Sequence, residues 1–218
     1  MPGCLELIET ARLTDRAGRQ GDCRGPTGPG LDLPQTGPLA AICFDTPLGR
    51  MVIGADGLGL RALRWGEDAA AGACRVPAEG WAPLLLEARD QVRAYFDGRL
   101  RRFALPLAPQ GTRFQRTVWG FINEIPYGAT LRYGELAALV GSGPRAVARA
   151  CGANPLPLLI PCHRAVGATP DSGGYSAPGG LVTKRFLLRL EGALDGRPAR
   201  RLGLVAPTGD ARQPSLGF

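Results

Sequence analysis

The spacing of apolar and polar positions changes character twice along the chain. Residues 1–38 are rich in Gly and Pro, as in Arg24-Gly25-Pro26-Thr27-Gly28-Pro29-Gly30, and hold no sustained hydrophobic period, so a poorly ordered extension is expected there. From Leu39 the pattern becomes that of short strands. Ala41-Ile42-Cys43-Phe44, a turn at Thr46-Pro47-Leu48-Gly49, Met51-Val52-Ile53 and Leu60 to Trp65 predict a small antiparallel meander. Pro83 to Phe96 then places Leu85, Ala88, Val92, Tyr95 and Phe96 on one helical face, with Gly98 where a helix usually stops. Phe103, Leu105 and Leu107 alternate as in one more strand.

After Pro109 the period is helical. Thr112 followed by Gln115 is a capping-box signature, and Phe114, Val118 and Phe121 continue an apolar stripe until Pro126 and Gly128 break it. A second helix is expected from about Gly134 to Val140. Gly141-Ser142-Gly143-Pro144 is a tight turn, and Pro144 suits the first position of a third helix through Arg145 to Cys151. Two short helices about a Gly-containing turn form a candidate helix-turn-helix. On the third helix Val147, Ala150 and Cys151 can face the core, which leaves Arg145, Ala148, Arg149 and Gly152 on the opposite face. That face is small and basic, as a helix approaching a groove about 6 Å wide requires, and as an ordinary solvated helix face also allows.

At 218 residues the chain accommodates two small domains. The formal net charge is +7, and it is uneven: residues 109–194 carry nine basic and four acidic side chains, residues 39–108 nine and eight. The excess in the C-terminal half favours an anionic partner such as nucleic acid, although charge alone does not separate this from an arginine-rich protein that binds none. The longest apolar run, Leu156 to Ile160 between prolines, is too short to span a bilayer, and Met1 to Glu6 lacks a secretory pattern, so a cytoplasmic protein is expected. Six cysteines without a paired C-x-x-C read as reduced thiols rather than as disulfides or a zinc site.

The chemistry concentrates in Asn154-Pro155-Leu156-Pro157-Leu158-Leu159-Ile160-Pro161-Cys162-His163-Arg164, which contains the single histidine. A chance Pro-Cys-His-Arg arises roughly once in a thousand chains of this length at equal residue use. A thiolate is a soft, strong nucleophile, but a thiol with a pKa near ~8.5 needs help to ionise, which His163 and Arg164 are placed to supply. A buried cysteine beside a packing histidine is the ordinary meaning of an isolated Cys-His pair.

The surrounding residues change that balance, because from about Leu39 to Ala193 the chain resembles the O6-alkylguanine-DNA alkyltransferase family. The motifs are Tyr127-Gly128, Tyr133-Gly134-Glu135-Leu136-Ala137, Arg145-Ala146-Val147, Asn154-Pro155 and Pro161-Cys162-His163-Arg164. They continue through Gly173-Gly174-Tyr175-Ser176, Gly179-Gly180-Leu181 and Lys184-Arg185-Phe186-Leu187-Leu188 to Glu191; Asp45-Thr46-Pro47-Leu48-Gly49 and Tyr95-Phe96-Asp97-Gly98 match the N-terminal part. The resemblance implies an α+β fold: a small ribonuclease H-like antiparallel-sheet domain over 39–108, and a mainly helical domain with a helix-turn-helix over 109–194. An extension, 1–38, and a tail, 195–218, flank them.

It further implies a monomer that binds double-stranded DNA containing alkylated bases from the minor groove, flips the damaged nucleotide out, and moves a methyl or larger alkyl group from O6-alkylguanine onto Cys162. In its broader form the activity extends to O4-alkylthymine. His163, oriented by Glu191, takes the thiol proton; Tyr133 protonates guanine N3; Asn154 braces the turn before an active-site strand. If residues 162 and 163 are extended, their side chains diverge and a water bridges them. Arg145 fills the vacated stack, where a planar cation fits. Tyr175 and Ser176 form the pocket wall and the donor to guanine O6, and the Ala165 carbonyl meets the guanine amino group. Ala146, Ala148, Arg149, Gly152, Pro157 and Lys184 complete the substrate- and DNA-facing set. The product thioether has no easy leaving group, so the protein acts once, without cofactor and without structural metal.

Three departures stand out: Ala165 in place of a usual valine, a helix-turn-helix turn two residues shorter, and Ala177-Pro178 inserted after Tyr175-Ser176. The alternatives are a non-catalytic sensor of the alkyltransferase-like type, which Cys162 opposes, and a cysteine hydrolase, for which neither a distant base nor an oxyanion hole is signalled.

Overall fold

A computed structural model describes residues 40–65, 82–168, 174–175 and 177–194. The expected extension and tail, and Ser176, lie outside the described residues. The fold is α+β. Strands β1 (Ala40–Thr46), β2 (Gly49–Asp56) and β3 (Gly59–Trp65) form an antiparallel sheet in the order β1-β2-β3. The first hairpin closes on Thr46, whose hydroxyl donates to the Gly49 carbonyl at 2.7 Å, and Gly49 takes the positive φ of 97° that the turn needs. Helix α1 (Ala82–Phe96) covers this sheet with Leu85, Ala88, Val92 and Tyr95, all fully buried, while Phe96 is half-buried at the edge.

The strand expected over Phe103, Leu105 and Leu107 is reduced to one bridge, Leu60 to Leu107. Leu60 N–H donates to the Pro106 carbonyl and Ala108 N–H to the Leu60 carbonyl, both at 2.8 Å. Pro106 itself has no N–H to extend a ladder. The alternation of Leu105 and Leu107 reflects burial, with pairing limited to that one bridge.

Helix α2 (Arg113–Asn123) starts at a capping box in which Thr112 and Gln115 satisfy each other's backbone N–H groups. It buries Val118, Trp119, Phe121 and Ile122, and the Trp119 indole donates to the Ala150 carbonyl at 2.8 Å, tying it to the next helices. Helices α3 (Tyr133–Leu139) and α4 (Pro144–Gly152) pack against each other across the turn at Gly141, which has φ 61°. Pro144 occupies the start of α4, and Val147, Ala150 and Cys151 are its buried residues.

The short strands β4 (Leu131–Arg132) and β5 (Ala165–Val166) pair in parallel, a contact without sequence signal, and bring the segment after Cys162 beside the start of α3. Helix α5 (Leu181–Leu190) closes the described chain, preceded by a turn in which Gly180 N–H donates to the Ala177 carbonyl; the inserted Ala177-Pro178 thus lies in the approach to α5. Among the described residues no helix is long and apolar enough to cross a membrane.

Candidate active site

Pro161, with its fixed φ, and a hydrogen bond from Arg164 N–H to the Pro161 carbonyl at 2.9 Å wind Cys162–Arg164 into a single 3-10 turn. This corrects the extended geometry, and with it the active-site strand, on which a bridging water was expected. The turn is held from behind by Asn154: its Nδ2 donates to the Ile160 carbonyl at 2.9 Å, and its Oδ1 accepts from Leu156 N–H at 3.0 Å. Between these anchors Leu158 is held at φ 78°, unfavourable for a side chain with a Cβ.

Cys162 is 3% exposed, yet it opens onto a cleft of about 310 Å³ that it lines together with Tyr133, Ala148, Cys151, Gly152, Gly174 and Tyr175. Such a volume falls in the ~300–1,000 Å³ range of small-ligand pockets. Four expected residues, Tyr133 of α3, Ala148 and Gly152 of α4, and Tyr175 of the loop before α5, thus meet the sulfur in one cavity. Arg145 and Arg149 lie exposed on α4, Ala146 is half-buried beside them, and Pro157 is half-buried in the loop before Cys162.

Behind the sulfur, His163 is fully buried and its Nε2 lies 2.8 Å from Glu191 Oε1. Glu191 caps the C-terminus of α5. Burial alone would raise its carboxyl, but His163 and Arg164 outweigh that and hold it well below the ordinary carboxylate range. An ionised carboxylate only accepts, so the Nε2 carries the hydrogen and His163 Nδ1, buried and without a hydrogen-bond partner among the described residues, keeps a free lone pair. Burial also holds the imidazole below its usual range despite the pull of Glu191, so the ring is neutral at neutral pH.

The thiol needs help to ionise, as the sequence leads one to expect. Burial pushes Cys162 up to about 11, against the opposing influence of the Asn154 side chain, the Lys184 charge, the backbone and the Tyr175 hydroxyl. Arg164, expected to help ionise it, is turned away. Its Nε and one terminal nitrogen donate to the two Glu191 oxygens at 2.9 Å, and the other terminal nitrogen donates to the Ile125 carbonyl. Lys184 is a second correction: rather than facing DNA it is fully buried, donates to the Ala165 carbonyl at 2.8 Å and stands 5.7 Å from the centre of the Tyr133 ring. The Ala165 carbonyl, expected at the guanine amino group, therefore already serves Lys184, with one lone pair left.

Two family models divide the chain between them: the 6-O-methylguanine DNA methyltransferase ribonuclease-like domain matches residues 41–109, and the DNA-binding domain of the same family matches 113–193. The chain belongs to the 6-O-methylguanine DNA methyltransferase family. It is similar to the methylated-DNA–protein-cysteine methyltransferase of Methanosarcina acetivorans, with 39% identity over 155 residues covering 69% of this chain and 96% of the relative. It is also 39% identical over 153 residues to that of Mycobacterium tuberculosis, covering 68% and 89%. The fold matches the crystal structure of the M. tuberculosis O6-methylguanine methyltransferase with a TM-score of 0.62 at 35% identity, over 76% of this chain and 98% of the other. The crystal structure of the OGT of that organism in complex with DNA matches equally, with a TM-score of 0.62 at 37% identity over 73% and 96%.

In this member of the family several site residues gave no signal of their role in the sequence. Cys151 reads as a core position on α4 and does face inward, but the interior on that side is the cleft; burial pushes its thiol up to about 12. Gly128 N–H donates to Glu191 Oε2 at 3.3 Å and Tyr95 O–H to Oε1 at 2.7 Å. Tyr95 reads as one more apolar contact of α1, and only its hydroxyl, on a fully buried side chain, hints that a polar partner is needed. Among the described residues no group of three or more His, Cys, Asp or Glu side chains is arranged to hold a metal ion.

Proposed function

We propose that this chain is a methylated-DNA–protein-cysteine methyltransferase that repairs O6-alkylguanine in double-stranded DNA, once per molecule, with Cys162 as the acceptor. The observation that carries the reading is a cysteine opening onto a base-sized cleft with a neutral, carboxylate-backed histidine as its neighbour in the chain. Family membership and the likeness to a DNA complex support DNA as the partner.

In the proposed reaction the imidazole of His163 takes the thiol proton at Nδ1 as the sulfur attacks the alkyl carbon. The carbon–oxygen bond breaks, and its electron pair returns to guanine, which gains a proton at N3 from the Tyr133 hydroxyl. Burial raises the Tyr133 pKa, so the proton is present to be given, and Lys184 near the ring stabilises the phenolate that forms. Solvent then reprotonates Tyr133, takes the proton from His163 and exchanges the guanine N3 proton for one at N1, so the net change is a thioether and an intact guanine. A thiol near 11 makes this a base-assisted attack rather than capture by a resting thiolate. A nucleotide must leave the stack to reach the cleft, and the exposed Arg145 at the start of α4 would occupy its place. Ser176 is proposed as the donor to guanine O6.

The test is single-turnover kinetics on a duplex carrying O6-methylguanine. Loss of the lesion should stop at one equivalent of protein, and Cys162→Ser should remove none; continued turnover, or repair by that variant, contradicts the proposal.

A further inference from the structure

We infer that Tyr95, on α1 of the sheet-bearing N-terminal part, is a positioning residue for alkyl transfer, its hydroxyl fixing how firmly Glu191 holds His163. The inference rests on the roles of Cys162, His163 and Glu191 proposed above. Tyr95 is fully buried, and its hydroxyl donates to Glu191 Oε1 at 2.7 Å, the shortest hydrogen bond that this carboxylate makes among the described residues. The same oxygen accepts from His163 Nε2 at 2.8 Å and from Arg164 at 2.9 Å. Three donors on one oxygen share its electron density, so each moderates its attraction for the others. The contact joins residues 96 positions apart, and thereby places one atom of the N-terminal part within the histidine–carboxylate pair.

The direction of the effect follows from the groups around the pair. His163 is faced by Glu191 and Lys184 from α5, by Arg164 from its own turn, and by the edge of the Tyr175 ring at 6.5 Å. Glu191 is faced by His163, Arg164 and Tyr95, with Tyr127 close by. Removing the Tyr95 hydroxyl leaves every one of these charges in place and takes only a donor from Glu191. The carboxylate then favours the imidazolium more strongly, and His163 retains its proton to higher pH. Because the neutral ring is the active form, the acid limb of the rate profile moves up.

Tyr95→Phe isolates this effect, since the ring keeps its packing against Phe96, Phe103 and Tyr127, whose centroids lie 5.4 to 6.0 Å away. The measurement is the single-turnover rate of methyl transfer from an O6-methylguanine duplex against pH, for the wild type and Tyr95→Phe, with thermal unfolding of both. The expected result is an upward displacement of the acid limb by about half a unit, a ~3-fold loss on that limb, with rates converging at alkaline pH. A uniform loss at all pH values, or unchanged rates with a lower Tm, overturns the inference and leaves Tyr95 a packing residue. Should Tyr95→Phe not fold, Glu191→Gln with native Tyr95 gives the second reading: a limb that stays in place there contradicts control through this carboxylate. Failure of the wild type to methylate Cys162 at all refutes the underlying site reading instead.

Discussion

Glu191 accepts hydrogen bonds from Tyr95, Gly128, His163 and Arg164, so beside its proposed catalytic role it is a structural centre. Truncation to Ala leaves the buried Arg164 guanidinium without its anion, and should cost about 3–5 kcal/mol in urea unfolding at neutral pH. A cost below ~1 kcal/mol would mean that the pair adds little. The same network sets an acid response. The folded-state pKa of His163 is depressed below its unfolded value, so as pH falls through about 6.5 the unfolded chain gains a proton that the folded one refuses. Glu191, also depressed, adds a second loss as pH falls below about 4.3. Urea midpoints should therefore fall in both windows; a midpoint that rises on acidification contradicts the burial of a neutral imidazole. Replacing His163 with Ala should slow transfer by about 10²–10⁴-fold, read in single-turnover rates at neutral pH. At this scale the sequence carries the identities of Cys162, His163 and Glu191. It does not carry the aim of Arg164 and Lys184, since a charge adjacent to a nucleophile in sequence is free to turn toward a deeper partner in space.

At the scale of elements, the legible features are those with local causes. Thr112 and Gln115 cap α2, Pro144 opens α4, and short apolar runs between turn residues build the meander, although β2 runs on to Asp56, three residues beyond the expected Ile53. The features that escape depend on distant partners: the β4–β5 pairing, and the failure of Phe103 to Leu107 to form a strand beside β3. The loop before Cys162 is intermediate. Its prolines mark it as irregular, but its shape comes from Asn154, and Asn154→Ala should destabilise by about 1–3 kcal/mol in urea unfolding and slow transfer as Cys162 loses its support. Exposed Arg145 carries the element-scale functional prediction. Arg145→Ala should slow repair in duplex DNA much more than reaction with a free O6-alkylguanine base; equal losses on both substrates remove its proposed role in the stack.

For the molecule as a whole, the charge excess of residues 109–194 and the cleft beside α4 fit one proposed arrangement, in which the basic helix meets DNA and the sulfur waits inside. On the proposed mechanism, the Tyr95–Glu191 contact makes the N-terminal part a component of the chemistry rather than an appendage. All of it depends on Cys162 receiving the alkyl group. The decisive measurement is the mass of the proteolytic peptide containing Cys162 after incubation with an excess of O6-methylguanine duplex. The account predicts one added methyl on that cysteine in nearly every molecule and none on Cys151 in the same cleft. An unmodified Cys162 peptide alongside repaired DNA, or a methyl found on Cys151 instead, would contradict it.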